Sequence, residues 1–393
     1  MRIAQLANFV GPASGGMRTA LQALGQGYVG AGHRRLLIVP GPADSRITTP
    51  LGDVVQFRAP RVGGGYRMIV EPWRVIEVLE SWRPTSLELS DKLTLLPVAR
   101  WASRNGVGSV LFSHERLDDM LALRTGLDTT AKVSVGLLNR LLVRSVDRIV
   151  VTSRYAEDEF RRVAAGADCP IVRIPLGVDL DTFRPHRVKR EGELRLVYAG
   201  RLSREKSPHL AVATAVELHR RGVPVRLDVY GVGPHRDELV EAAGSAPVRF
   251  HGFLDSRADL SHRLAAADVA LSVCPGETFG LAVLEALASG TPVVTADRGG
   301  ARELVDAVSG AWGRPDPASL ADAVLDVADR PVTSRREAAR ARAERYPWSA
   351  TVASMLDVHA GVAIRRSRSR ARGVMSSSSV SAATSMEPIT IAR

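Results

Sequence analysis

Residues 194–231 read LRLVYAG, RLSREKSP, HLAVATAVELHRRG, VP and VRLDVYG: an apolar strand, a charged loop, an amphipathic helix and a second apolar strand. Residues 2–40 follow the same plan, as RIAQLANFV, GPASGG, MRTALQALGQGYVGAG, H and RRLLIVP. Continuous apolar strands joined by helices are typical of a parallel sheet that is covered on both faces. Because the plan occurs twice, the sequence predicts an α/β protein with two doubly wound, Rossmann-like domains.

The boundary between the two domains is predicted near residues 176–192, where LGVDLDTFRPHRVKREG interrupts the apolar rhythm with glycine, proline and charge. We therefore expect a first domain over 1–180, a second over 190–344 and a hinge between them. The Arg/Ser-rich and then Ser/Ala/Thr-rich stretch 365–393 has no apolar period. We expect this tail to be disordered.

The composition of the 393 residues, 45% apolar and 24% charged, excludes a wholly disordered, collagenous or disulfide-stapled chain. The two cysteines, Cys169 and Cys274, indicate separate thiols in a reducing compartment. Because no apolar run of 18 residues occurs, we expect a cytoplasmic protein without a membrane-spanning helix. The net charge of +11 does not indicate nucleic-acid binding, because no basic motif is interleaved with aromatic residues.

Two loops at predicted strand ends carry residues suited to an anionic ligand. Doubly wound sheets bind ligands at the carboxyl ends of their strands, where helix N-termini attract anions. Gly15 and Gly16 follow the first strand and allow a phosphate to approach the backbone, although a plain tight turn has the same sequence. Arg201 and Lys206 follow the first strand of the second domain, where two cations favour a phosphate group over an ordinary charged surface.

The stretch PGETFGLAVLEALASGTPVV, residues 275–294, contains the densest set of candidates. Glu277 follows a predicted strand, Phe279 opens a helix and Glu285 lies inside it. The helix rises about 9 Å from Phe279 to Glu285, comparable with a diphosphate between two sugar rings. Two carboxylates at that separation can accept hydrogen bonds from hydroxyls at both ends of such a ligand. Taken alone, either glutamate is equally typical of a helix cap or of a solvated residue on the helix.

These motifs resemble those of the retaining glycosyltransferases of family 4, which have the GT-B fold. The resemblance is carried by the Glu277-x7-Glu285 pair, by the Arg201 and Lys206 loop AGRLSREKS, and by the segment GVDLDTF. It covers the chain up to about residue 360 and leaves out the C-terminal tail. It implies a cleft between the two domains, with the donor site mainly on the second and the acceptor site mainly on the first.

The resemblance also implies a role for individual residues. Arg201 and Lys206 would neutralise the donor diphosphate, Glu285 would hold the nucleotide ribose, and Glu277 would bind hydroxyls of the transferred sugar. His114 matches the active-site histidine of the family. The backbone groups assigned to the donor are those of Gly15, Gly16, Phe279, Gly280 and Leu281. A return helix over about 345–362 is expected to pack on the first domain.

The expected chemistry needs neither a cofactor nor a metal. Fixed cations at the leaving oxygens lower the barrier to breaking a sugar–phosphate bond. Retaining members of the family are thought to use same-face attack assisted by the departing phosphate, so no protein nucleophile is proposed. Asp179-Leu180-Asp181 matches a D-x-D metal motif, but it lies in the predicted linker, where the family carries a similar non-catalytic segment.

Donor and acceptor are less well defined by the sequence. His251, Gly252 and Phe253 are candidates for contact with the nucleotide base but do not separate guanine from uracil. Resemblance to bacterial mannosyltransferases favours GDP-mannose, followed by UDP-glucose, and the acceptor is a glycolipid, a glycan or a small molecule. The alternatives are a GT-B phosphorylase or synthase of a soluble disaccharide, and a non-catalytic scaffold that binds nucleotide or membrane.

One predicted helix leaves peripheral membrane contact open. Leu137, Leu138, Leu141 and Leu142 form an apolar face beside arginines. Such a face either rests on an anionic membrane or covers the first sheet. We prefer the second interpretation.

Overall fold

The structure, a computed structural model, describes residues 1–8, 15–62, 66–92, 94–114, 128–186 and 192–382. Residues 187–191 of the predicted linker and 383–393 of the predicted tail lie outside the described residues.

The first domain is built on an eight-stranded sheet in the order β3-β4-β2-β1-β5-β6-β7-β8. Its strands are β1 Arg2–Leu6, β2 Arg34–Gly41, β3 Ser45–Thr49, β4 Gly52–Arg58, β5 Ser86–Leu89, β6 Gly108–Ser113, β7 Arg148–Val151 and β8 Ile171–Arg173. All neighbours pair in parallel except β3 and β4, which are antiparallel. The turn between these two strands requires Gly52, whose φ is 100°.

The second domain is built on a six-stranded, fully parallel sheet in the order β11-β10-β9-β12-β13-β14. Its strands are β9 Leu194–Ala199, β10 Val225–Tyr230, β11 Val248–Gly252, β12 Val269–Ser272, β13 Val293–Ala296 and β14 Gly310–Gly313. The central strands are apolar because helices cover both faces of the sheet. The architecture is therefore the predicted pair of doubly wound α/β domains.

Helices connect the strands and cover the two sheets. In the first domain these are α1 Gly15–Gly30, α2 Pro72–Trp82, α3 Leu96–Arg104, α4 Asp128–Val143 and α5 Arg154–Ala164. In the second they are α6 Pro208–Arg220, α7 Arg236–Ala243, α8 Arg257–Ala266, α9 Leu281–Ala288, α10 Gly300–Glu303, α11 Pro317–Ala328 and α12 Val332–Ala343. The last helix, α13, runs over Trp348–Ala382.

The chain crosses between the domains twice, and the two crossings lie side by side. The amide of Val178 donates to the carbonyl of Tyr346 at 2.9 Å, and the two segments form a β-bridge between Val178 and Pro347. A Cβ at Gly177 would lie 2.5 Å from the backbone of Trp348, so glycine permits this approach. The start of α13 is thereby placed against the first domain.

A buried polar cluster fixes α13 on the first sheet. His359 lies within hydrogen-bond distance of Ser86 Oγ at 2.7 Å and of Glu88 Oε2 at 3.2 Å. The hydroxyl of Tyr28, on α1, donates to the same Glu88 oxygen at 2.9 Å. Burial raises the pKa of the Glu88 carboxyl, but its bonds with His359, Gln5 and Tyr28 outweigh burial and leave it below its usual value.

Helix α13 extends into the predicted C-terminal tail. The backbone of 365–382 continues the helix. Its arginines and alanines are strong helix formers, and no proline interrupts them before Ala382. Within the part of the chain that the structure describes, every helix is too short or too polar to span a bilayer.

The Tyr28→Phe substitution tests the buried cluster. Removing the hydroxyl takes away one of the two hydrogen-bond partners of the buried Glu88 Oε2 and leaves His359 as the other. We expect the free energy of unfolding to fall by about 1.5–3 kcal/mol, measured by urea denaturation. Thr48→Val, which removes an exposed hydroxyl, is the control. An unchanged free energy for Tyr28→Phe would contradict the described cluster.

Candidate active site

A cleft of about 3500 Å³ lies between the two domains. It is lined by most of the residues that the sequence indicated as site candidates, whereas the base candidates His251 and Gly252 are not among its lining residues. The candidates that line it are Gly15, Gly16 and His114 from the first domain and Arg201, Lys206, Phe253, Glu277, Phe279, Gly280, Leu281 and Glu285 from the second. The fold brings them together because the carboxyl ends of both sheets face the cleft.

The loop after β9 is held by backbone and side-chain bonds. The amide of Leu202 donates to the carbonyl of Val232 at 3.0 Å, which ties this loop to the one after β10. The hydroxyl of Tyr198 lies 3.2 Å from the carbonyl oxygen of Arg201 and 3.4 Å from that of Lys206. The backbone of both Arg201 and Lys206 is therefore held in place at the edge of the cleft.

Arg201 reaches across the cleft to the first domain. Its guanidinium carbon lies 4.8 Å from the centre of the Tyr66 ring, and Nη1 lies 3.8 Å from Glu205 Oε1. The ring and the carboxylate are both suited to orienting a planar cation.

Lys206 forms an ion pair with Glu277. Its Nζ donates to Glu277 Oε2 at 2.7 Å, and the lysine side chain is 42% exposed. The sequence suggested that the two residues contact different parts of a ligand, and the structure places them next to each other. The Glu277 side chain is only 14% exposed, so the carboxylate is the inner member of the pair and the lysine lies on the solvent side.

The N-terminus of α9 faces the cleft beside this ion pair. Gly280 precedes the helix with φ 101°, in the left-handed region. A Cβ on Gly16 would lie 3.4 Å from Leu281 Cδ1. The first turn of α1 therefore adjoins the first turn of α9. Gly15 has open space around its Cα. The arrangement leaves room for a ligand along the backbone of Gly15.

Thr278 joins the two domains at the floor of the cleft. Its hydroxyl donates to the carbonyl of His114 at 2.7 Å, and its own carbonyl accepts from Ser153 Oγ at 2.6 Å. A Cβ on Gly300 would lie 2.0 Å from the same carbonyl. The sequence analysis missed this contact, because nothing in a single sequence marks one threonine as a partner of the other domain.

His114 carries a neutral imidazole in this structure. Burial lowers its pKa to about 4, with Lys92 lowering and Glu88 raising it. Its Nε2 is buried and has no hydrogen-bond partner among the described residues. A buried ring nitrogen without a partner is costly, so a ligand group is the natural acceptor or donor for it.

Glu285 is also buried, but it has a cationic partner. Burial raises the pKa of its carboxyl to about 6, and Arg257 opposes that shift. Arg257 Nη2 donates to Glu285 Oε1 at 3.2 Å. The sequence analysis missed Arg257, since nothing in the sequence distinguishes it from other surface arginines near a helix start.

The remaining candidates differ in environment. Phe253 is 57% exposed at the cleft wall. His251 is within 2.7 Å of Asp228 Oδ1 and stacks on the Tyr230 ring with 4.7 Å between ring centroids. Asp179 of the D-x-D motif accepts from the amides of Asp181 and Thr182 at 3.1 and 3.0 Å. Among the described residues, no group of three or more histidines, cysteines or carboxylates is placed to hold a metal ion.

Comparisons with known proteins agree with this architecture. A family described as "Glycosyl transferase 4-like domain" matches residues 15–177, and "Glycosyl transferases group 1" matches 193–330. A GDP-mannose-dependent alpha-(1-6)-phosphatidylinositol dimannoside mannosyltransferase of Mycobacterium tuberculosis is 40% identical over 376 residues, covering 93% of this chain and 97% of that one.

Solved structures share the fold at lower identity. Sucrose-phosphate synthase from Thermosynechococcus elongatus has a TM-score of 0.75 and 21% identity, covering 92% of this chain and 99% of that one. HepE from Anabaena, solved in complex with UDP-glucose, has a TM-score of 0.69 and 18% identity, covering 91% and 99%.

Two parallel-sheet domains facing a cleft, with cations and carboxylates at the strand ends of the second, define a GT-B glycosyltransferase. The chain belongs to the family 4 glycosyltransferases of this fold. It is a hexosyltransferase.

The Gly280→Ala substitution tests the backbone before α9. Alanine is strained at φ 101°, and its Cβ would lie 3.1 Å from Val283 Cγ2. We expect a loss of about 1–3 kcal/mol in the free energy of unfolding, measured by denaturant titration. Gly30→Ala, at a helical glycine with open space around it, is expected to be neutral or slightly stabilising. Equal effects of both substitutions would contradict the prediction.

Proposed function

We propose that the protein transfers a mannosyl group from GDP-mannose, with retention of configuration, to a glycolipid that carries a phosphatidylinositol mannoside headgroup. Support comes from the relative that is 40% identical over almost the full length of both chains. The structures in complex with UDP-sugars are far less similar, at 18% identity, so GDP-mannose is preferred over UDP-glucose. The observation that carries the proposal is the placement of Arg201, Lys206, Glu277 and Glu285 on one wall of the cleft.

The diphosphate would lie between the cations of the second domain and the start of α9. Arg201 and Lys206 would neutralise the charge that develops on the leaving oxygen, as preorganised groups that need no rearrangement during the reaction. They would take the place of a metal ion. In this structure Glu277 lies 2.7 Å from the Lys206 ammonium group; a bound diphosphate would contact the same ammonium group.

The sugar would lie between Glu277 and His114. Glu277 accepts hydrogen bonds from hydroxyls, and the neutral imidazole of His114 offers Nε2 to a hydroxyl of the sugar. The Glu285 carboxylate would accept the ribose hydroxyls. In same-face attack, the departing phosphate would take the proton of the acceptor hydroxyl as the sugar–phosphate bond breaks and the new glycosidic bond forms.

A lipid acceptor requires the first domain to lie near a membrane surface. Helix α4 turns Leu142 inward, at 2% exposure, and leaves Leu137 and Leu141 exposed at 61% and 40%. The exposed leucines stand beside Arg140 and Arg144, which are also exposed. The helix therefore both covers the sheet and presents an apolar and cationic surface, and we propose that this surface rests on anionic lipid.

Replacing Lys206 tests the proposed reaction. With GDP-mannose as donor and phosphatidylinositol dimannoside as acceptor, Lys206→Ala should lower kcat/KM by about 10²–10³-fold, because a charge on the leaving oxygens is lost. Mannosyl transfer to the lipid is measured by mass spectrometry. Arg220→Ala, on the exposed face of α6, is the control and should match the wild type. Activity of the wild type with UDP-glucose but not GDP-mannose would contradict the donor, and undiminished transfer by Lys206→Ala would contradict the mechanism.

Replacing both exposed leucines tests the membrane surface. The double variant Leu137→Ser, Leu141→Ser should bind vesicles of phosphatidylcholine with 30% phosphatidylinositol about tenfold more weakly. The reason is that two leucine side chains, which would be partly buried in the lipid surface, are lost. Binding is measured by cosedimentation. Val308→Ser removes a side chain that is 64% exposed on the second domain and should bind as the wild type does. Equal binding by all three proteins would place the contact elsewhere.

A further inference from the structure

Arg257 contacts three separate parts of the molecule. It is the first residue of α8, and its side chain is 41% exposed. Nη2 donates to Glu285 Oε1 at 3.2 Å, and Nη1 donates to Thr19 Oγ1 at 3.0 Å. The guanidinium carbon lies 4.9 Å from the centre of the buried Phe183 ring. One planar cation thus touches the second domain, the first domain and the linker between them.

Each of the three partners occupies a position that matters for the cleft. Glu285 is the carboxylate assigned to the nucleotide ribose. Thr19 lies one turn of α1 beyond Gly15 and Gly16, whose backbone adjoins the start of α9. Phe183 belongs to the first crossing between the domains. The rigid fork of an arginine donates to two acceptors from separate nitrogens in one plane, whereas the three N–H groups of a lysine share a single nitrogen.

The surroundings of the guanidinium fix its position further. The charge of Arg257 also acts on Asp179 in the linker and helps to lower the pKa of that carboxyl, which burial alone would raise. On the opposite side of α9, Arg340 donates to the carbonyls of Phe183 at 2.8 Å and Ala288 at 2.9 Å. Linker and helix α9 are therefore held together, and Arg257 spans from them to α1.

We propose that Arg257 is a positioning residue that couples recognition of the nucleotide ribose at Glu285 to the placement of the first turn of α1, with Gly15 and Gly16, through Thr19. The proposal rests on the proposed function of Glu285. The bond between Arg257 and Thr19 exists only when the domains are as close as they are here, whereas the bond between Arg257 and Glu285 lies within the second domain. Because linkage is reciprocal, a nucleotide that fixes Glu285 and Arg257 favours the closed cleft, and the closed cleft favours the nucleotide.

Substitutions at the two ends of the bridge separate these effects. Thr19→Val keeps the shape of the side chain and removes only the contact with the first domain. We expect it to lower kcat/KM for GDP-mannose about tenfold, the effect of one hydrogen bond to a charged group, and to weaken GDP binding by no more than the same factor, because the closed cleft favours the nucleotide. Thr19→Ser retains the hydroxyl and should restore activity. Arg257→Gln should weaken GDP binding as well as turnover.

A pH titration distinguishes positioning from a general structural effect. The Glu285 carboxyl, with a pKa of about 6, accepts ribose hydroxyls when ionised, so the affinity of the wild type for GDP should fall as the pH drops through this value. Arg257 opposes the rise in that pKa. Asp179 carries charge beside Arg257, and Arg340 contacts the carbonyl of Ala288 at the end of α9. In Arg257→Gln the loss of affinity should therefore begin at a higher pH, while Thr19→Val should keep the wild-type profile. GDP affinity is measured by isothermal titration calorimetry.

The decisive experiment is a double-mutant cycle with full-length protein. In the Arg257→Gln background, Thr19→Val should cause no further loss of kcat/KM, because its partner has gone. The cycle is repeated with Arg257→Lys, which keeps the charge without the fork and should show the same lack of further loss. Additive losses in both backgrounds, or a wild-type pH profile in Arg257→Gln, would overturn the inference while leaving the proposed function intact. A wild type that binds no GDP would overturn both.

Discussion

The arrangement of the site depends on concentrating positive charge at the carboxyl edge of the second sheet. Arg201 and Lys206 extend from the loop after β9, and the N-terminus of α9 adds its backbone dipoles. This charge is balanced locally, since Lys206 pairs with Glu277 at 2.7 Å and Arg201 lies 3.8 Å from Glu205. The site is thus a set of cations with exchangeable partners, as a ligand that arrives and leaves as an anion requires.

The first domain completes this site through few contacts. The Thr278 hydroxyl bonds to the carbonyl of His114, the Tyr66 ring faces Arg201, and Gly16 adjoins Leu281. A buried apolar cluster that includes residues of both domains accompanies these contacts. Together they place the neutral imidazole of His114 beside the charged wall of the cleft that the second domain supplies.

Local sequence patterns predicted much of the fold and the cleft. The repeated alternation of strands and helices predicted both sheets, and the rule for ligand binding at strand ends indicated residues such as Lys206 and Glu277 that line the cleft. The antiparallel edge strand Ser45–Thr49 was not predicted, because its exposed alternation is short and surrounded by prolines and glycine. The hydrogen bond between Arg257 and Thr19 could not be predicted from the sequence either, because it depends on how the two domains are oriented toward each other.

The central claim is that a diphosphate lies between the guanidinium of Arg201, the ammonium of Lys206 and the amides at the start of α9. A crystal structure of the protein with GDP tests it most directly. We expect β-phosphate oxygens within hydrogen-bond distance of both cations, and ribose hydroxyls bonded to the Glu285 carboxylate. A diphosphate bound on the other wall of the cleft, or one that leaves the Lys206–Glu277 pair undisturbed and out of reach, would contradict it.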